Sequence, residues 1–265
     1  MDIEQIYKIS DESERVSALY EIFNEEERLH SKAANVEFLT TVSYIEKYLK
    51  AGDKILDIGA GAGAYSLYFA KKGYDIHAVE LAGSNVRAFR EKITPEMTLD
   101  LRQGNAKDLS CFDNESFDIV LLMGPLYHLS NDEDRSRCIE EAKRVCKKDG
   151  KIYFAFINND MVILSEFCYS QDYFKSSDYD HETFKAVDFP FVFFTLEQCR
   201  QMLKEHSISV IHEVAADGVS EMLADKINAM DSESYRQYLK YHAYCCEKPE
   251  MLGRSNHLLF VGKKS

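Results

Sequence analysis

The 265-residue chain is 45% apolar and 29% charged, the balance of a folded globular protein with a sizeable core, which excludes a disordered or membrane-embedded chain. Forty-five acidic residues against 32 basic ones leave a formal charge of −13, so nucleic acid and acidic membrane surfaces are disfavoured as partners. Seven cysteines without a C-x-x-C pair indicate neither a disulfide framework nor a standard zinc site, and no metal is expected. With no apolar leader and no run of 18 apolar residues, the expected compartment is a reducing cytoplasm.

The first 50 residues read as a helical cap. Val16, Leu19, Tyr20 and Phe23, then Val36, Phe38, Leu39, Val42, Ile45 and Leu49, recur at helical spacing on either side of the acidic run Asn24 to Glu27, which predicts two helices. Arg28 and His30, just before the second helix, are candidates to line a pocket. Ala51-Gly52-Asp53 closes that helix, and Lys54 to Ile58 is the short apolar segment of a strand buried inside a parallel sheet.

Strand and helix then alternate. Strands are expected near 54–58, 75–80, 98–103, 117–122 and 151–157, and helices near 63–73, 83–93 and 133–147, with Asp149-Gly150 as a turn into the fifth strand. This is the pattern of an α/β doubly wound, mostly parallel sheet, whose core spans 51–157 of a single domain. Residues 158–194 are aromatic-rich and longer than a connection needs, and read as an irregular, lid-like insertion over the ligand cleft; the plainer alternative is that these aromatics enlarge the core. Thr195-Leu-Glu-Gln198 is a capping box opening a helix to about Glu205, followed by a strand at 207–214, a helical insertion at about 219–247 within 215–250, and a last strand at 257–261.

The chemistry concentrates in Asp57-Ile-Gly59-Ala60-Gly61-Ala-Gly63, at the end of the first strand, where a doubly wound sheet binds nucleotides. Gly59 can take the dihedrals of a sharp turn, Gly61 removes a side chain that would block a ligand, and Gly63 lets the following helix approach the strand. The spacing is G-x-G-x-G and not the G-x-G-x-x-G that presents a helix N-terminus to a pyrophosphate. Asp57 would repel a pyrophosphate but could hold a cationic amino-acid end, so both features favour S-adenosylmethionine over a nicotinamide dinucleotide. Glu80 closes the second strand 21 residues after Gly59, placed to accept from ribose hydroxyls.

With these residues in view, LDIGAGAGAYS, AVEL, QGNAKDL and FDIVLLMGPLYHL resemble the glycine-rich motif, ribose acid, adenine loop and fourth strand of class I S-adenosylmethionine-dependent methyltransferases, over about residues 51–157. GPLYHL and the segment Tyr241 to Glu247 are further similar to a subgroup of bacterial methyltransferase-domain proteins. The resemblance implies a seven-stranded sheet with an antiparallel final strand, to which the residues themselves add an N-terminal helical cap and insertions after strands 5 and 6. Carried over by position, it puts Asp57, Gly59 and Gly61 at the methionine end of the cofactor, Glu80 at the ribose, and Asn105 and Ala106 at the adenine, with Met123 nearby; Ala60, Gly63 and Leu81 complete the expected cofactor-binding set. Asn105 departs from the family's commoner Asp; its amide oxygen can still accept from an exocyclic amine, while the plainer reading is a turn residue.

A sulfonium methyl is already activated, so in-line displacement needs positioning, and a base only if the acceptor must lose a proton. His128 is the candidate base and Tyr127 the candidate orienting group; the alternatives are a helix cap or pocket wall for His128 and a packing aromatic for Tyr127. Gly124 stands where amino methyltransferases carry Asp or Asn, which with the acidic charge argues against a nucleic-acid base as substrate. His242 and Glu247 are weaker candidates for the acceptor pocket. The expected function is methyl transfer to a small-molecule acceptor, set against a non-catalytic cofactor-binding module, an RNA- or protein-modifying methyltransferase, and an NAD-linked oxidoreductase.

Overall fold

The computed structural model describes residues 2–23 and 29–265. Arg28 and the run Asn24 to Glu27 lie outside the described residues. Three helices precede the sheet rather than two: α1 (Ile3–Tyr7), α2 (Glu12–Tyr20) and α3 (Lys32–Glu46). The unexpected α1 has its own signal, a capping box in which Asp2 and Gln5 satisfy each other's backbone N–H groups.

The alternating core follows as β1 (Lys54–Ile58), α4 (Ala64–Lys71), β2 (Asp75–Glu80), α5 (Gly83–Arg90), β3 (Leu99–Gln103), β4 (Phe117–Leu122), α6 (Asp132–Val145) and β5 (Cys146–Asn158). The second half comprises α7 (Asn159–Tyr169), the two-residue β6 (Phe193–Phe194), α8 (Leu196–Glu205) and β7 (Ile208–Ala215). It ends in α9 (Ala224–Asn228), α10 (Ser232–Cys245), α11 (Pro249–Leu252) and β8 (His257–Lys264). The sheet runs β3-β2-β1-β4-β5-β8-β7, with β6 beside β5 off that path. β8 is antiparallel to both neighbours, whereas β1 to β5 pair in parallel. The seven-stranded sheet with one antiparallel strand is therefore present, with β6 as an eighth, minimal strand.

Alternating side chains serve two layers. Ile55, Ile76, Ile119 and Tyr153 meet Val42 and Ile45 of α3 and Phe69 of α4, while Leu56, Val120, Leu122 and Phe154 meet Ile139 and Ala142 of α6 and Leu203 of α8. Burial on both faces is why the central strands read as continuous apolar runs. Because β2 lies to one side of β1 and β4 to the other, the sheet changes direction of growth there and opens a crevice beyond the strands' carboxyl ends.

Two expectations are corrected. Asp149-Gly150 is not a turn between elements: β5 starts at Cys146, directly after α6, and the pair sits within the strand where its register with β4 shifts. The segment 158–194 is not irregular throughout, since Asn158 caps the eleven-residue α7 and Ile163, Tyr173 and Tyr179 form a small cluster of their own. The helical insertion between β7 and β8 is present as α9 and α10.

Candidate functional site

A cavity of about 410 Å3 occupies the crevice over β1, β2 and β4, within the ~300–1,000 Å3 range of small-molecule sites. Its floor is the glycine-rich turn. Gly59, Gly61 and Gly63 have φ of 74°, 55° and 87°, a region closed to most side chains. Gly59 does a second job: a Cβ there would stand 2.7 Å from Cδ of Pro125, so its bareness lets the loop after β4 close against the loop after β1.

Asp57, Ala60, Gly61, Glu80, Leu81, Asn105, Ala106, Met123, Tyr127 and His128 line this cavity together with Gly59. Gly63 does not. It is buried as the first residue before α4, where a Cβ would lie 2.4 Å from the ring of Phe89 in α5; the approach it permits is between helices, not between helix and strand. His242 is buried against Gly218, and Glu247 is held by Tyr44 and by His212 at 2.9 Å; neither lines the cavity.

The site is anionic by construction. Glu80 accepts from the backbone N–H groups of Gly61 and Ala82, both at 2.8 Å, which ties the glycine turn to the end of β2. Asp57 is buried and accepts from the Ser66 hydroxyl at 2.7 Å. Burial, reinforced by the Glu80 charge and opposed by the Ser66 bond, pushes its carboxyl up to about 6. Two carboxylates facing one cavity favour a ligand with positive charge and hydroxyl donors. Asn105 uses its side-chain oxygen to accept from the Lys107 N–H at 3.0 Å, an Asx turn, and its amide donates to Ser13 of α2 at 3.2 Å.

The cover of the cavity differs from expectation. The cover over the cavity comes from α2 and α3, through Ser13, Val16, Tyr20, Asn35 and Phe38, with His30 between them; no residue of 158–194 lines it. Helices placed before β1 lie across the crevice, whereas the insertion after β5 docks beside it. Tyr20, which no motif singled out, has its hydroxyl 2.8 Å from Nε2 of His128, and the aromatic rings of Tyr20, Tyr127 and Phe191 surround that imidazole at 5.1–5.4 Å. Burial alone pulls the His128 pKa down to about 4, so it is neutral at pH 7, and its Nδ1 is buried with no partner among the described residues. The Tyr127 hydroxyl donates to the Met123 carbonyl at 2.8 Å. Among the described residues no group of three or more His, Cys, Asp or Glu is placed to hold a metal, and no helix is long and apolar enough to cross a membrane.

Residues 56–154 match the family described as a methyltransferase domain. A ubiquinone biosynthesis O-methyltransferase of Xanthomonas oryzae is 30% identical over 109 residues, covering 41% of this chain and 44% of that protein, so the chain spans under half of this relative. Over the whole chain the likeness is one of fold. A Pyrococcus horikoshii protein aligns with TM-score 0.62 and 18% identity over 94% of this chain and 99% of its own. A S-adenosylmethionine-dependent methyltransferase of Methanosarcina mazei aligns with TM-score 0.54 and 21% identity over 83% and 96%.

Proposed function

Because the chain belongs, through residues 56–154, to the class I S-adenosylmethionine-dependent methyltransferases, we propose that it transfers a methyl group from that cofactor to a hydroxyl of a small organic acceptor. The observation that carries this reading is the single cavity lined at once by buried Asp57 and Glu80 and by neutral His128.

The residues present fit the cofactor. The bare turn at Gly59 and Gly61 admits a ligand against backbone, Asp57 supplies charge for an ammonium, and Glu80 offers acceptors for ribose hydroxyls. Ala106, Leu81 and Met123 give an adenine its apolar contacts, with Asn105 at the rim. When bound, the cofactor would supply a methyl group activated by a positively charged sulfur. The chain's part is to hold the acceptor oxygen in line and remove its proton. His128 is the candidate for that base: it lines the cavity, is uncharged at neutral pH, and its Nε2 shares a 2.8 Å hydrogen bond with the Tyr20 hydroxyl. Tyr127, tethered to the Met123 carbonyl, orients the wall next to it. The cover of α2 and α3 excludes water from the reacting groups.

The acceptor class follows from charge as well as shape. A formal charge of −13 and an enclosing cover suit a compact organic molecule better than an RNA. Incubation with methyl-labelled S-adenosylmethionine and a panel of phenols, alcohols and amines tests this: label should move to hydroxyl compounds with matching release of S-adenosylhomocysteine. Transfer confined to amines, or to RNA, would overturn the O-methylation reading.

A further inference from the structure

The helical insertion between β7 and β8 lines no part of the cavity, yet it holds the helix that does. α3 faces the cavity with Asn35 and Phe38, and Leu29 and His30 join the lining just before its N-cap, Ser31. The leading N–H groups of any helix have no partner inside it and must find one outside. Ser31 takes the Ala34 N–H at 3.1 Å. The Ala33 N–H goes to Asn228, the last residue of α9, whose side-chain oxygen accepts it at 3.0 Å. Ala33 is buried, so this cap, supplied from 195 positions away, satisfies a group that water does not reach.

Further bonds close around the same turn. The Lys32 ammonium donates to the carbonyl of Asn228 at 3.4 Å and to that of Met230, where α9 ends, and a cation suits the carbonyl end of a helix. The Tyr235 hydroxyl, in the first turn of α10, donates to the Lys32 carbonyl at 2.7 Å. The short link between α9 and α10 brings an amide, two carbonyls and a phenol to one point, and α9 packs on α3 beside them. One turn further along α3, Phe38 stacks on Tyr65 of α4 at 5.0 Å, so that part of the wall is held from the core. The polar clamp holds the part before it.

We propose that Asn228 is a positioning residue of the site: acting through Ala33, it keeps the first turn of α3, with Leu29, His30 and Asn35, closed over the cavity. The insertion then governs how tightly the cavity holds its ligand. A turn that opens admits water to the ligand, and affinity falls with the fraction of molecules in which the turn is formed. The inference rests on the methyl-transfer reading only for the identity of that ligand, for which S-adenosylhomocysteine is the probe.

The test combines hydrogen exchange with calorimetric titration of the full chain by S-adenosylhomocysteine. The variants are Asn228→Ala, the same change with Tyr235→Phe, and Asn228→Asp, whose carboxylate can accept the same N–H and suits a helix N-terminus. In Asn228→Ala the amides of Ala33 to Asn35 should exchange about threefold faster or more, the scale of a lost cap. The double variant should add to this and weaken S-adenosylhomocysteine by a similar factor. Exchange in β1 and β4 should stay at wild-type rates, and Asn228→Asp should restore both readouts. Unchanged exchange at Ala33 to Asn35, unchanged affinity despite faster exchange, or an Asp variant that behaves like the Ala variant would overturn the proposal. Faster exchange, restored by Asp, in a protein that ignores S-adenosylhomocysteine would instead overturn the cofactor assignment and uphold the clamp.

Discussion

The hydroxyl of Tyr20 lies 2.8 Å from Nε2 of His128, joining the last residue of α2 to the loop after β4 across 108 positions of sequence. This bond couples the cover of the cavity to the proposed base.

Removing the base should then cost more than removing its partner. His128→Gln is expected to lower kcat by ~10²–10⁴-fold, the usual range for a general base. Tyr20→Phe, which keeps the ring packing and loses one hydrogen bond, should lower it by about tenfold. Steady-state kinetics on an identified acceptor, with S-adenosylhomocysteine affinity measured in parallel, checks the pair. Equal rates in His128→Gln and wild type would remove the base role.

The pH dependence carries two opposed signals. Asp57, raised to about 6, takes up a proton in the folded state before it would in the unfolded chain, so the cost of its buried charge, present above pH 6, is relieved as pH falls toward 4. His128, lowered to about 4, stays neutral while the unfolded chain takes up a proton near 6.5, so stability is lost as pH falls through that window. Asp57→Asn removes the first effect and exposes the second. Its stability in denaturant titrations should therefore fall more steeply than wild type between pH 6.5 and 4.

The same carboxyl should govern ligand affinity. Protonation below about pH 6 removes a charge that faces a cationic ligand, so S-adenosylhomocysteine should bind more weakly at pH 5 than at pH 7.5, and Asp57→Asn should flatten that dependence. An equally steep dependence in the variant would place the titrating group elsewhere.

Two glycines of one motif should respond differently to alanine. In Gly59→Ala the new Cβ meets the Pro125 ring at the cavity floor, so both stability, by about 1–3 kcal/mol, and S-adenosylhomocysteine affinity should fall. In Gly63→Ala it meets the Phe89 ring away from the cavity. A comparable loss of stability is expected there, relieved in part by a second change, Phe89→Leu, with affinity retained in the double variant. Thermal melts and titration of the three proteins read this directly.

Much of the fold is local and was therefore readable. Continuous apolar runs such as Lys54 to Ile58 mark strands buried on both faces, and capping boxes such as Thr195 to Gln198 mark helix starts. The cavity floor was readable for the same reason, since Asp57, Gly59, Gly61 and Glu80 act through short-range geometry at strand ends. What escaped depends on contacts distant in sequence. Nothing around Tyr20 reveals a partner 108 residues away, and Gly63 looks like its neighbours in the motif until Phe89 is placed. The length and aromatic content of 158–194 suggest a cover, but residues of α2 and α3 line that side of the cavity. α7 gives no periodic signal because its aliphatic and aromatic residues are spread around the helix without a clear polar face.

The central claim is that the cavity over Asp57 and Glu80 binds S-adenosylmethionine, and calorimetric titration of the purified chain with S-adenosylmethionine and S-adenosylhomocysteine tests it most directly. The account predicts one site of micromolar affinity for each, weakened at least tenfold in Glu80→Gln, which removes the charge at the ribose position. Absence of binding at millimolar concentration, or tight binding of NADH in its place, would contradict it.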